Sequence, residues 1–462
     1  MFQTLKQDRG FYKRILAIAI PIVIQNGIST FVSLLDNIMV GQVGTIPMSG
    51  VSIANQLLSV YALCIFGASA GAGIFAAQFY GKGDMDGVRN TFRFRYLICT
   101  AIAVLGMVVV VLFGEPLMAL YLTGEGDPAD AALTLQLGKE YLMANLLGFI
   151  PFALANAYSG TLRETGKTVV PMVGGITAVL VNLVLNYLLI FGHMGFPEMG
   201  VRGAAVATNI SRFVELAIVA GWSHFNTAKV PFFRGVYRSL AIPKNLLVAV
   251  SRKCIPLLAN EFLWSTGIAV LTQSYSTCGL DVVPALNISG TIQNLSNVVS
   301  IALANAIGIT MGQMLGSGKS REELQKANGK LLNLSIVCGA VFGVFLLALS
   351  NFFPLLYNTT DQVRQLASTL IRVTACFMPL VAYSLATYFT LRSGGQVFIT
   401  FLFDSCFMWV CPVVLAFCLS RFTDVGIVAM YALCQGVDIL KAGLGTWLIR
   451  KGVWIKDLTK HI

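Results

Sequence analysis

Residues 15–41 read ILAIAIPIVIQNGISTFVSLLDNIMVG. The first 21 of them, 15–35, carry no charge. Wound as an α-helix at about 1.5 Å per residue they would extend about 31 Å, enough to cross a bilayer's hydrocarbon core. Asp36 then sits either at the far interface or inside the membrane, where an unpaired charge costs several kcal/mol. Periodicity favours the interior. Asn26, Ser29, Ser33 and Asp36 recur at i, i+3, i+7 and i+10, with Gln25, Thr30 and Asn37 alongside. That spacing draws one polar stripe on one helix face, as expected of a wall around a hydrated interior. Pro21 lies one turn before the stripe and permits a structural kink.

The remainder of the 462 residues has the same character: 56% hydrophobic, 11% charged, mean hydropathy +0.75. Soluble chains carry about twice that charged fraction. Twelve apolar segments are long enough to span, at roughly 15–39, 51–77, 96–113, 141–160, 169–191, 203–224, 246–274, 282–310, 331–350, 373–391, 397–419 and 425–449. They are continuous, as membrane helices are, and lack the alternation of barrel strands. The basic residues between them fall on alternate connections. One side collects 25, including Lys6, Arg93, Arg163, Arg238, Lys319 and Lys456; the other has five, Lys139, Arg202, Arg364, Arg372 and Arg421. By the positive-inside rule both termini are cytoplasmic, and the net charge of +11 reflects orientation, with no nucleic-acid partner. The ten cysteines contain no C-x-x-C pair and read as small buried hydrophobes.

The chain repeats itself at an offset of 235 residues. Pro21 aligns with Pro256, Gln78 with Gln313, Gly81 with Gly316, Leu162–Arg163 with Leu391–Arg392, and Glu215 with Asp438. The expected fold is therefore all-α, with two six-helix lobes related by a pseudo-twofold axis along the membrane normal. The N-lobe would span 1–234 and the C-lobe 235–462, joined by a basic cytoplasmic linker at about 225–250.

Several stretches resemble the multidrug and toxic compound extrusion (MATE) family, in order and with its spacing. They are LLDNIMVG (34–41), AAQFYGKGD (76–84), LRETGKTVVP (162–171), NLVLNYLLIFG (182–192), GVRGAAVAT (200–208) and GQMLGSGK (312–319). The resemblance implies a secondary transporter in the cell membrane that exports cationic or amphiphilic compounds in exchange for Na⁺ or H⁺. No enzymatic activity and no cofactor are expected, and a monomer suffices. The resemblance also implies that Asn182, Asn186 and Thr208 join Asp36 at a cation site, where Na⁺ would be held by Asp36, Asn182 and Asn186. Related N-lobe ion sites often carry a second acid where this chain has Asn186, so Na⁺ and H⁺ both remain open. Glu261, five residues after Pro256, resembles a C-lobe acid of other family branches, but the partner acid of the tenth span is missing.

Other intramembrane polar groups divide by whether they bring their own counter-charge. Arg212 with Glu215, and Asp438 with Lys441, are spaced i, i+3 and read as structural ion pairs. Gln25, Ser29, Ser33, Asn156 and Tyr383 are assigned to a substrate cavity, and Pro21 and Pro256 to kinks. GTLRETGKT is not a phosphate loop, since five residues separate Gly160 from Gly166 where four are required. The alternatives are a lipid-linked precursor flippase, which would want a strongly charged cavity, and a receptor or channel, which the repeated lobes disfavour.

Overall fold

The computed structural model describes residues 9–122, 127–423 and 425–461; Lys6 and the Asn37 side chain lie outside them. Among the described residues twelve helices are long and apolar enough to cross a membrane. They are α1 (Arg9–Val43), α2 (Thr45–Lys82), α3 (Met85–Ala119), α4 (Pro128–Glu164), α5 (Val169–Phe191) and α6 (Gly200–Phe225). After a linker come α7 (Lys244–Ser276), α8 (Val282–Gly316), α9 (Arg321–Leu349), α10 (Asp361–Ser393), α11 (Val397–Phe422) and α12 (Ile427–Lys451). No strand occurs among these residues. Each expected apolar segment lies in one helix or overruns it by a residue or so.

Most helices outrun their apolar segments because the signals that start them are polar. Asp84 caps α3, its carboxylate accepting from the Gly87 N–H at 2.8 Å, ahead of Arg89, Arg93 and Arg95. Ser320 and Glu323 form a reciprocal capping box at the start of α9, and Thr360 caps α10. Gly192 and Gly452 end α5 and α12 at φ 70° and 71°, a left-handed conformation that costs glycine nothing. Large apolar side chains on α3 face outward, Leu105 at 62% and Leu112 at 61% exposure, as a lipid-contacting helix requires.

The chain packs as two compact units. The first comprises Ile24–Ala76 and Asp84–Cys254; the second comprises Met1–Val23, Ala77–Gly83 and Ile255–Ile462. In the first, α5 packs along α6 and α4 against α3 and α6. Its core gathers Ala54, Ile65, Cys99, Leu142, Phe149 and Ala205. The basic linker is bound to this unit: Phe232 and Phe233 are buried, and Arg89 and Arg93 donate to the carbonyls of Phe232 and Val236 at 3.2 and 2.9 Å. A buried ion pair joins α3 to α4. Arg95, 1% exposed, meets Glu164 at 2.6 Å and also donates to Thr161 Oγ1 and the Ser69 carbonyl. Gly73 and Gly160 make room for it, since a Cβ would lie 2.1 Å from Glu164 Oε1 and 2.8 Å from Arg95 Nη1 respectively.

In the second unit α10 packs against α8 and α9, and Ile15, Ile18 and Ile22 of α1 join their core. The end of α2 crosses α8 by a reciprocal contact. A Cβ on Gly81 would stand 1.9 Å from the Gln313 carbonyl oxygen, and one on Gly316 1.9 Å from that of Gln78. These are the residues matched at the 235-residue offset, each glycine closing on the other repeat's glutamine. Gln78 further donates to the Ser393 and Lys456 carbonyls and accepts from the Leu458 N–H at 2.8 Å. The segment after α12 is thus held down, with Trp454 fully buried.

Candidate functional site

Within the first unit lies a cavity of about 320 Å³ whose walls come from α1, α2, α4, α5 and α6. Gln25 and Asp36 are eleven residues apart, three helical turns, and so share a face of α1. α5 runs beside that face in the same direction. Gln25 sits against Gly175, where a Cβ would meet its amide at 2.4 Å, and Asp36 bonds Asn186 eleven residues further along α5. The two contacts fix the register of the pair. The α1 stripe therefore does face a polar interior: Gln25, Asn26, Ser29, Ser33 and Asp36 all line the cavity.

Around Asp36 the expected residues converge. Asn186 Nδ2 donates to Asp36 Oδ1 at 2.8 Å and to Asn182 Oδ1 at 3.2 Å, while Asn182 Nδ2 donates to Thr208 Oγ1 at 3.3 Å. With the Asn182 amide reversed, its nitrogen lies 2.9 Å from Asp36 Oδ2 and its oxygen accepts from the Thr208 main-chain N–H at 3.2 Å. The carboxylate is thus held by the Asn186 amide alone or, with Asn182 reversed, by both amides, and no basic side chain pairs with it among the described residues. Asn186 Oδ1 is buried without a hydrogen-bond partner. One carboxylate with amide and hydroxyl oxygens is a donor set a small hard cation can use, and a carboxylate without a fixed counter-charge can equally take a proton.

Asn156 also lines this cavity, together with further polar side chains of α4 and α6. Asn156, Ser159 and Arg163 follow i, i+3, i+7 on α4, and Thr208, Ser211, Arg212 and Glu215 follow i, i+3, i+4, i+7 on α6. Arg163 donates to Gln25 Oε1 at 2.9 Å. Arg212 stands 3.8 Å from Glu215, with its guanidinium over the Phe152 ring at 4.4 Å. The spacing that suggested a self-contained pair also described a wall, and a period count on α4 and α6 would have found it.

Glu261, Tyr383 and Pro256 belong to the second unit. Tyr383 borders a groove with Cys376 and Leu380 and pairs its hydroxyl with Thr446 at 2.6 Å. The neighbour of Glu261 occupies a polar network: Asn260 donates to Asp404 Oδ2 at 3.2 Å and to the Tyr388 hydroxyl at 3.3 Å, and Ser405 donates to Asn260 Oδ1 at 2.8 Å. Lys441 pairs with Asp404 at 2.8 Å, where Asp438 was the expected partner. A lysine stem reaches across to α11 as easily as along its own helix, and Asp404 sits in a widened π-turn, Leu402–Cys406, that places it there.

The family model described as MatE matches residues 21–188 and 256–418, the larger part of the chain and both halves of the repeat. The chain belongs to the MatE family. A curated relative of Thermotoga maritima, "Probable multidrug resistance protein NorM", is 25% identical over 453 residues, covering 96% of this MatE chain and 93% of its own. The fold matches solved structures at lower identity. One is a multidrug resistance MATE family transporter of the MOP superfamily in an outward-facing conformation, with TM-score 0.85, 18% identity and coverage of 96% and 95%. Another, with TM-score 0.82, 18% identity and the same coverage, is a MOP superfamily transporter from Pyrococcus furiosus with a binding pocket of reverse polarity. This MatE protein is thus a multi-pass membrane protein of a multidrug efflux transporter family.

Proposed function

We propose that the protein is a secondary active exporter of the cell membrane that exchanges cationic or amphiphilic compounds for Na⁺ or H⁺ by alternating access, with both termini cytoplasmic and a monomer as the working form. The observation that carries this reading is Asp36, a lone carboxylate that accepts from the Asn186 amide, with Asn182 beside it, on the wall of a polar cavity. In the outward-open state a cation or proton neutralises Asp36 and removes the acceptor that orders those two amides. The polar contacts of α1 then change, and Pro21, which has no N–H for the preceding turn, lets the helix adjust. Substrate leaves outward, and the inward-open protein returns the ion and reloads. Ion and substrate need not touch; each needs only to favour opposite states. Glu261 is proposed as a second acceptor of proton or substrate charge in the second unit.

Reconstituted protein should accumulate a fluorescent cationic dye against its gradient when an ion gradient is imposed. A Na⁺ gradient at constant pH and a pH gradient without Na⁺ distinguish the coupling ions. Asp36→Asn should abolish driven accumulation while the purified protein stays monodisperse; undiminished transport by that variant would sink the proposal.

A further inference from the structure

In the second unit, the start of α10 carries a polar surface that the transport reading does not use. Arg364, Ser368 and Arg372 follow i, i+4, i+8 there, and with Asn351 and Leu355 of the connection from α9 they line a hollow of about 460 Å³. The two arginines differ in their partners. Arg364 pairs with the exposed Asp361 at 3.0 Å and donates to the Tyr357 carbonyl at 3.0 Å. Arg372 is held by neutral oxygens: Nη2 donates to Asn351 Oδ1 at 2.5 Å, an acceptor shared with the Ser368 hydroxyl at 3.1 Å, and Nε donates to Ser350 Oγ at 3.4 Å. Among the described residues no carboxylate pairs with Arg372, and its Nη1 has no hydrogen-bond partner. Its guanidinium stays charged, and it immediately precedes the apolar segment 373–391. A fixed positive charge thus stands at the edge of the hydrocarbon without a counter-charge from the chain.

The same face of α10 continues as an apolar groove. Cys376, Pro379 and Tyr383 follow Arg372 at i+4, i+7 and i+11, and with Ile336 of α9 and Ile439 of α12 they line a hollow of about 450 Å³. Cys376 and Ile439 are exposed, so the groove is open. Large apolar side chains elsewhere on α9 and α12, Val344 and Leu440 among them, are exposed too, as lipid contact requires. From Arg372 to Tyr383 is about 16 Å of helix, close to one leaflet of a hydrocarbon core about 30 Å thick. On the connection beside the polar hollow, Phe352, Leu355 and Leu356 are exposed as well, a patch suited to an interface and not to water.

We propose that this face of α10 binds one anionic glycerophospholipid, with its phosphate at Arg372, its headgroup outward along Ser368 and Gln365, and one acyl chain in the groove down to Tyr383. Three features select that occupant. Arg372 lacks an acid of the chain's own, and a phosphate fits the planar fork of a guanidinium. The charges that line the polar hollow, Arg364, Arg372 and Asp361, leave one positive charge to be matched. The groove beneath is apolar apart from the Tyr383 hydroxyl, which Thr446 already occupies at 2.6 Å, so it suits a hydrocarbon chain and offers a soluble anion nothing.

Cys376 lies in the groove and reports on it. Full-length protein keeping Cys376 as its one cysteine is purified in detergent, and its alkylation by N-ethylmaleimide is followed as lipid is added to the micelles. Phosphatidylglycerol should protect Cys376 at a mole fraction about fivefold lower than phosphatidylcholine with the same acyl chains, the scale of one charge at a lipid surface. Arg372→Gln should bring the two lipids together. Arg372→Lys, which keeps the charge and controls for folding, should retain most of the preference. Glycerol 1-phosphate, a headgroup without chains, should neither protect Cys376 nor displace the lipid. Absence of protection by either lipid would overturn the groove as an acyl-chain site. Equal protection by both, or a preference untouched by Arg372→Gln, would overturn the headgroup assignment. Displacement by glycerol 1-phosphate at matched concentration would make this a soluble-phosphate site and overturn the lipid. No transport is measured, so the outcome is independent of the export reading.

Discussion

Asp36 is held by the Asn186 amide, joined by that of Asn182 when the latter is reversed, and by no basic side chain among the described residues, and that choice of partner decides what the residue can respond to. An arginine at hydrogen-bond distance would lock the charge on; amides orient the carboxylate and leave its charge free to be cancelled by an arriving ion. Removing the Asn186 donor should weaken the site without emptying it. Asn186→Ala is expected to raise the half-saturating concentration of the driving ion about tenfold, on the scale of ~1.5–3 kcal/mol for a hydrogen bond to a charged group. Initial rates of dye uptake against ion concentration measure it. Asp404 illustrates the opposite arrangement. Lys441 lies on it at 2.8 Å with both side chains mostly buried, so the pair is closed. Lys441→Ala should destabilise the protein by about 3–5 kcal/mol by stranding the carboxylate. Adding Asp404→Leu should return much of the loss, read as thermal unfolding in detergent.

At the scale of helices, the chemistry of the apolar segments was open to reading and that of their ends was not. Twenty-odd uncharged residues can do little but span, so the number and order of the helices follow from where the charges are missing. The ends need caps and tertiary partners: α3 begins eleven residues before its expected start because Asp84 caps it and Arg95 finds Glu164 on α4. That pair is 69 positions apart and leaves no local pattern. The α1 stripe was legible because periodicity lies within one helix. Its companions on α4 and α6 were hidden by a competing rule, since Arg212 and Glu215 also satisfy the spacing of a surface ion pair. The cover over the end of α12 was invisible for another reason: it depends on Gln78, nearly four hundred residues away. Trp454 is fully buried there, and Trp454→Ala should cost about 3–5 kcal/mol of stability, again measured by unfolding of the purified protein.

For the whole molecule, the unequal division of basic residues makes a directional statement. With 25 on one side and five on the other, the linker that follows α6 should face the cytoplasm. A cysteine replacing Lys229, in a background without the ten native cysteines, should react with an impermeant maleimide in inverted vesicles and not in intact cells. Labelling in intact cells would reverse the orientation. The two compact units also divide the chain in a way a midpoint cut does not. α1 leaves the second unit at Val23, two residues after Pro21, and α7 enters it at Ile255, one residue before Pro256. The prolines matched by the repeat thus lie beside two of the passages between units; the others fall at Ala77 within α2 and at Gly83 just after it.

The crossing of α2 and α8 has a bearing on genetics. Gly81 and Gly316 press on main-chain carbonyls, so a methyl group at either has no side chain in its way that could be shortened to admit it. Gly81→Ala and Gly316→Ala should both lower the yield of folded protein in the membrane, and a screen for second-site suppressors at the facing helix should return none. A defect at Gly175, which abuts the Gln25 side chain, should by contrast be repaired by a smaller residue at position 25. The crossing is therefore a place where this chain can accept change only by reversion.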